Sequence, residues 1–216
     1  MKVAVVIPAR DEAELIGRCL ASIGDERVIV VADRCVDDTA AIARDLGAEV
    51  IEIDEARVGL ARAIGCEAAL RDPEVGWLAC TDADSVVPSN WIAEQLRLAE
   101  QGVDAVVGTV RPDFDDLTEL QIRAWRDTHP AGRANGHVHG ANLGVRVSAY
   151  RAVGGFPPVS EHEDNELVAR LAAAGFTVTP TAAIEVLTSG RTFGRTPGGY
   201  ARYLRDDLIR STELIA

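Results

Sequence analysis

The chain of 216 residues is 47% hydrophobic and 26% charged, the balance of a folded globular protein with core enough for one domain rather than two. Its 34 acidic residues outweigh 22 basic ones, for a formal net charge of −12. A surface that acidic repels phosphate backbones and anionic lipid, which argues against a nucleic-acid partner or docking through a basic patch.

Apolar runs such as Val3–Ile7 and Val28–Ala32 are strand-sized, well short of the roughly 20 residues of a membrane span. One Lys before a short apolar run ending at Pro8 does not make a secretory leader, and a cytoplasmic location is expected. Cys19, Cys35, Cys66 and Cys80 show neither Cys-x-x-Cys nor zinc-finger spacing to His. Three of them, Cys19, Cys66 and Cys80, sit among apolar residues and read as small buried hydrophobes.

Strand and helix signals alternate through the first half. Residues 2–7 form a Val-rich strand, and 12–23 a helix with Leu15, Ile16, Cys19, Leu20 and Ile23 on one face. Strand 27–32, helix 37–46 closed by Gly47, strand 49–53 and helix 58–70 follow, then strand 75–81, helix 88–100 opened by Pro88, and strand 103–110. Such alternation implies a mostly parallel sheet covered on both faces, with ligands at the carboxyl ends of its strands. The second half is less regular. Residues 111–140 look like a loop over a site around one short helix, 117–126. Strand 142–147, a helical turn 149–153, helix 164–174, strand 184–187, a Gly/Arg loop 190–199 and a terminal helix 200–209 complete the chain. One domain is expected, residues 1–216, with a regular half (1–110) and a less regular half (111–216).

Three strand ends, Pro8-Ala9-Arg10-Asp11-Glu12, Ala32-Asp33-Arg34-Cys35 and Thr81-Asp82-Ala83-Asp84-Ser85, bring polar or acidic groups to one edge of the sheet. Asp82-Ala83-Asp84 follows a buried strand, and in an extended segment its two carboxylates face one side. Their repulsion is relieved by a hard divalent cation that leaves positions open for a diphosphate; a solvated acidic turn is the alternative. Glu161-His162-Glu163-Asp164-Asn165-Glu166 places four acids in six residues at a helix start. Asp164 suits either an N-cap or a general base there. Ser189-Gly190-Arg191 through Arg195 offers guanidinium groups to phosphate oxygens, or to solvent. His137 and His139 are two apart, with no third ligand at a fixed spacing that would make a zinc site.

In chain order these segments resemble those of the family-2 glycosyltransferases. Val5-Val6-Ile7-Pro8-Ala9-Arg10-Asp11-Glu12 is similar to the family's opening strand and nucleotide-contacting turn. Val30-Val31-Ala32-Asp33 is similar to its base-side motif: Asp33 matches the second Asp of Asp-Asp-Gly-Ser, Ala32 stands at the first, and Arg34-Cys35 replace Gly-Ser. Val58-Gly59-Leu60-Ala61-Arg62 resembles the nucleotide-proximal helix start. Asp82-Ala83-Asp84 matches the Asp-x-Asp metal motif, Gly140-Ala141-Asn142-Leu143 with Gly154-Gly155-Phe156 the acceptor-side segment, and Glu163-Asp164-Asn165-Glu166-Leu167 the Glu-Asp motif.

The resemblance spans about residues 2–190, and it makes residues 1–110 the nucleotide-sugar-binding half and residues 111–216 the acceptor-side half. It implies the GT-A fold: an α/β, Rossmann-like, mostly parallel central sheet with helices on both faces and a smaller mixed acceptor-side region. It implies a hexosyltransferase-type enzyme that moves a sugar, with inversion, from a UDP- or GDP-sugar to the hydroxyl of a small-molecule or lipid-linked acceptor. Pro8, Ala9, Arg10, Glu12, Asp33, Arg62, Asp82, Ala83 and Arg191 then contact the donor, with Arg191 at the diphosphate. Asp84, with Asp82, holds Mg²⁺ or Mn²⁺, and Asp164 beside Glu163 is the base. Two alternatives are a sugar-activating nucleotidyltransferase, disfavoured by the acidic Asp11-Glu12-Ala13-Glu14 run where a triphosphate loop is needed, and a non-catalytic nucleotide-sugar-binding module. A nicotinamide dehydrogenase is excluded because no Gly-x-Gly-x-x-Gly follows the first strand.

Overall fold

A computed structural model describes residues 1–196 and 198–209. Its elements are β1 (Lys2–Ala9), α1 (Ile16–Ile23), β2 (Arg27–Asp33), α2 (Thr39–Asp45), β3 (Glu49–Ile53), α3 (Val58–Ala69), β4 (Val75–Cys80), β5 (Ser85–Val86), α4 (Trp91–Glu100), β6 (Ala105–Pro112), α5 (Glu119–Thr128), β7 (Leu143–Arg146), α6 (Val147–Ala152), α7 (Glu163–Ala173), β8 (Val178–Thr188) and α8 (Tyr200–Arg202), which runs on into a π-helical turn at Tyr203–Asp207. One eight-stranded sheet joins them in the order β3-β2-β1-β4-β7-β6-β8-β5. Four of its seven neighbouring pairs are parallel; β7 runs antiparallel between β4 and β6, and β5 antiparallel to β8.

The alternation of β1 explains both cores. Val3, Val5, Ile7 and Ala9 face α1 and α4, packing with Ile16, Cys19, Trp91 and Leu98. Ala4 and Val6 face α3, α6 and α7, packing with Ala61, Cys66, Tyr150, Leu167 and Leu171. Successive side chains point to opposite faces, so a strand covered on both faces must be apolar throughout. Gly65 lets α3 lie close on the sheet, since a Cβ there would overlap the Val6 and Val31 side chains.

The predicted elements are recovered with shifted bounds. The first helix starts at Ile16 rather than at residue 12, because the Glu12 carbonyl is taken by the amides of Leu15 and Ile16 in a turn and the Glu12 side chain is drawn inward. Pro88–Asn90 likewise form a turn before α4. The last strand is far longer than residues 184–187. Val178–Ala183 lack alternation and contain Pro180, and they pair with β6 on one side while β5 meets only Leu187 and Thr188 on the other. Pro180, with no N–H to donate, therefore sits on an open edge. The Gly/Arg loop predicted at 190–199 includes residue 197, which lies outside the described residues. Among the described residues no helix is long and apolar enough to cross a membrane.

The β6–β8 register slips between Gly108 and Val110, and Asn142 fills the gap. Its Nδ2 donates to the carbonyls of Thr109 at 2.8 Å and Ile184 at 2.6 Å, and its Oδ1 accepts from Trp91 Nε1 at 2.8 Å. Gly108 is required opposite, because a Cβ would strike that amide. Asn142→Ala leaves three fully buried polar groups unpaired, which costs about 1 kcal/mol or more each. We expect a loss of roughly 3 kcal/mol in urea unfolding with an unchanged m-value.

Candidate active site

A cleft of about 570 Å³ opens at the carboxyl ends of β1, β2 and β4, and Pro8, Ala9, Arg10, Glu12, Asp33, Arg62, Asp82, Ala83, Asp84, Glu163, Asp164 and Arg191 all line it. Residues 155 positions apart in the chain, from Pro8 to Glu163, thus share one space. Two guanidinium groups organise it, that of Arg62 buried and that of Arg191 part-exposed.

Arg62, on the first turns of α3, is fully buried. It donates from Nε to Glu163 at 2.8 Å and from Nη2 to Asp82 at 2.5 Å, while Nη1 has no partner. Burial opposes its charge, but the carboxylates of Asp82 and Glu163 more than offset that and raise its pKa. Burial also raises the Glu163 carboxyl, against the pull of Arg62. Gly140 passes so close that a Cβ would strike the guanidinium.

Arg191 reaches in from the loop after β8. It grips both oxygens of Glu12, at 3.0 and 2.6 Å, and Asp84 at 2.6 Å. Arg195 adds a 2.9 Å bond to Glu12 and a second to the Asp11 carbonyl. Thr188 and Ser85 hydroxyls lie 3.3 Å from the other oxygen of Asp84. Burial pushes the Asp84 carboxyl up to about 6; Arg191 pulls it down, and the nearby charges of Asp82 and Glu12 push it further up.

The two aspartates of the motif do not sit in an extended strand. They occupy a turn closed by the Ser85 amide on the Asp82 carbonyl, so Asp82 turns to Arg62 and Asp84 to Arg191. Asp84 is nearly enclosed, whereas the Asp82 side chain is 38% exposed. The donor set around them is hard oxygen throughout, and at Asp84 one guanidinium does not fully offset the burial of the carboxylate. These oxygens are of the kind that a hard divalent cation takes.

Asp33 ends β2 with three bonds from the amides of Glu55, Ala56 and Arg57, at 2.9, 2.8 and 2.9 Å. It holds the turn that leads into α3. Asp164 is not the N-cap of α7; that position is His162, with φ +63°, and Asp164 lies in the first turn. Its Oδ2 accepts the Gly140 amide at 2.6 Å and its Oδ1 the amide and side chain of Asn165, at 2.7 and 2.9 Å. His139, beside it, is pushed down to about 4 by burial, although Asp164 pulls the other way.

Among the described residues His137 and His139 find no third ligand, and the cluster with three candidate ligand atoms within 4.8 Å of one another is Asp11, Cys35 and Asp37 instead. Glu161, from the acidic run at the start of α7, also lines the cleft, as do Tyr200 and Tyr203; the two tyrosines were missed in the sequence, where nothing in their spacing distinguishes them from surface residues.

A curled, mostly parallel sheet with a carboxylate-lined cleft at its strand ends defines the GT-A glycosyltransferase class, and solved members superimpose on it. TarS of S. aureus, residues 1–349, in complex with UDP-GlcNAc matches 93% of this chain and 62% of its own with a TM-score of 0.68 at 13% identity. The mannosyltransferase PcManGT from Pyrobaculum calidifontis, in complex with GDP-Man and Mn²⁺, matches 100% of this chain and 64% of its own with a TM-score of 0.67 at 22% identity. The family model "Glycosyl transferase family 2" matches residues 4–153, and the chain belongs to that family. A dolichyl-phosphate hexose transferase from Haloferax volcanii is 36% identical over 109 residues, which are 49% of this chain and 46% of that protein. The match thus spans about half the length of that relative.

The Asp84 site carries a stability cost. Its carboxyl moves from 3.8 to about 6 on folding. Above pH 6 it is ionised in both states and the folded state bears the burial penalty, whereas below 3.8 it is protonated in both and the penalty vanishes. At 1.36 kcal/mol per pH unit, Asp84→Asn is expected to stabilise the protein by about 3 kcal/mol at pH 8. Calorimetric melting should show that gain shrinking toward zero as pH falls to 4.

Proposed function

We propose that the chain is an inverting, divalent-metal-dependent hexosyltransferase that uses a UDP- or GDP-sugar. The observation that carries this reading is the convergence on one cleft of Asp82 and Asp84, from the turn after β4, and Asp164, from α7. The neighbours' complexes with UDP-GlcNAc and with GDP-Man and Mn²⁺ support a nucleotide-sugar donor and a cation, and the hexose named in the Haloferax relative supports the sugar class.

When bound, the cation would offset the charge that grows on the departing diphosphate. Asp84 holds it, and Asp82, half-exposed, reaches the ribose or sugar. Arg191 and Arg195 exchange part of their grip on Glu12 for phosphate oxygens, and Arg10 joins them from the turn after β1. Pro8, Ala9 and Asp33 shape the base end of the cleft. Glu163, locked by Arg62, fixes the first turn of α7, so that Asp164 is held by the Gly140 amide at a set position. Asp164 takes the proton from an acceptor hydroxyl as its oxygen bonds to the anomeric carbon. The bond from that carbon to the diphosphate oxygen breaks on the opposite face. One displacement inverts the centre. Residues 1–110 supply most of the donor side and the second half the acceptor side, with Arg191 and Arg195 reaching across to the diphosphate.

Positioned general-base catalysis contributes roughly 10²- to 10⁴-fold. Asp164→Asn should lose transfer by that factor while nucleotide affinity stays within about twofold, and transfer near the wild-type rate would remove Asp164 as base. Calorimetry with UDP and GDP, with Mn²⁺ and with chelator, should show metal-dependent binding of one nucleotide. Asp84→Ala should weaken that binding at least about tenfold, equivalent to the loss of one charge-assisted contact.

A further inference from the structure

The stretch of cleft wall beside Asp164 is built of aromatic rings. His129, His137, His139, Tyr200 and Tyr203 all line it. Each ring neighbours two of the others in a closed circuit, with centroids 6.3 Å apart for His129–His137 and for His137–His139, 5.6 Å for His139–Tyr200, 5.8 Å for Tyr200–Tyr203 and 6.3 Å for Tyr203–His129. Trp125 backs the circuit. It stacks on His129 at 4.5 Å and 4°, and its Nε1 donates to the Tyr200 hydroxyl at 3.2 Å. The rings come from three segments, the end of α5, the approach to Gly140, and α8 with its π-helical turn. Burial lowers the pKa of both His129 and His139, which keeps these two rings neutral at physiological pH.

The charges on this stretch are negative. Glu161 holds the Gly198 amide at 2.7 Å, and Glu163 and Asp164 lie alongside. The cations of the cleft are held by carboxylates: Arg62 by Asp82 and Glu163, with its free Nη1 buried out of the cleft's solvent, and Arg191 and Arg195 by Glu12 and Asp84, while Arg10 follows β1. The chain's single lysine, Lys2, pairs with Asp72 at the start of β1.

We infer that this wall is an acceptor subsite for an uncharged glycosyl ring, which lays a C–H face on the aromatic circuit and presents a hydroxyl to Asp164. The inference rests on the transferase reading and adds the chemical class of its acceptor. A pyranose has apolar C–H faces and a rim of hydroxyls, so flat ring surfaces edged by carboxylates match it on both counts. A phosphate acceptor matches neither. It needs a guanidinium or ammonium partner, which this wall lacks among the described residues, and it would approach three carboxylates. It also needs no base, being largely ionised already at neutral pH. The acceptor assigned here therefore differs from the polyprenyl phosphate that the Haloferax relative's name would point to.

Saturation-transfer NMR on the full chain with Mg²⁺ and its nucleoside diphosphate tests this, using a panel of methyl hexopyranosides against a short-chain polyprenyl phosphate. Saturation of the C–H protons of at least one pyranoside, without competition by the phosphate, is the expected result. Tyr203→Ala and His137→Ala should each weaken that pyranoside about three- to tenfold, the value of one aromatic contact. Tyr203→Phe should retain it, and His137 is exposed enough that its removal spares folding. If no pyranoside binds while the nucleotide does, or if the polyprenyl phosphate displaces it, the acceptor assignment is wrong and the transferase reading stands. If calorimetry finds no nucleotide bound at all, the transferase reading falls and this inference with it.

Discussion

The arrangement of the cleft depends on balancing carboxylates that no solvent can neutralise. Glu12, Asp84 and Glu163 are buried at strand and helix ends, and Asp82 stands half-exposed among them. Arg62 bridges Asp82 and Glu163, and Arg191 bridges Glu12 and Asp84. Buried pairs of this kind add little net stability, yet losing the shared arginine leaves its carboxylates stranded at a cost of about 3–5 kcal/mol. Each arginine is therefore obligatory once its carboxylates are in place. Each also ties distant parts of the chain together, α3 to α7 in one case and the turn after β1 to the loop after β8 in the other.

The sheet brings those parts within reach. β1, β2, β3 and β4 run parallel, so their carboxyl ends share one edge, and the turns carrying Glu12, Asp33 and Asp82–Asp84 meet there. β7 then enters antiparallel between β4 and β6. That reversal delivers Gly140 and His139, which precede it, to the same edge, and α7 follows with Glu163 and Asp164. Asn142 secures the junction by taking up the carbonyls freed where β6 and β8 slip register.

The two ends of the cleft differ in chemistry because they are closed by different means. The end at Glu12 and Asp84 is closed by guanidinium–carboxylate pairs, which rearrange at modest cost when another anion or cation arrives. The end at Asp164 is closed by packed rings over Trp125, with Leu204 and Leu208 behind them. That end offers surface rather than charge.

Much of this was legible in the sequence. The alternation of apolar runs, turn residues and amphipathic helices along residues 2–110 reflects local rules, strand period and helix period, that act within a few residues. The acidic and Gly-flanked segments at strand ends likewise marked Glu12, Asp33, Asp82, Asp84 and Asp164 as the residues to watch. The pairing of Asp82 with Arg62 rather than with Asp84, the capture of Asp84 and Glu12 by Arg191, the length of β8, and the ring circuit of His129, His137, His139, Tyr200 and Tyr203 were not legible. Each links residues far apart in the chain, and a long-range contact leaves no periodic trace in either partner. The sequence by itself determined which elements form and which side chains are able to do chemistry. Only the tertiary structure decided which charges neutralise one another and which rings share a wall, because both depend on where the sheet brings separate strand ends together.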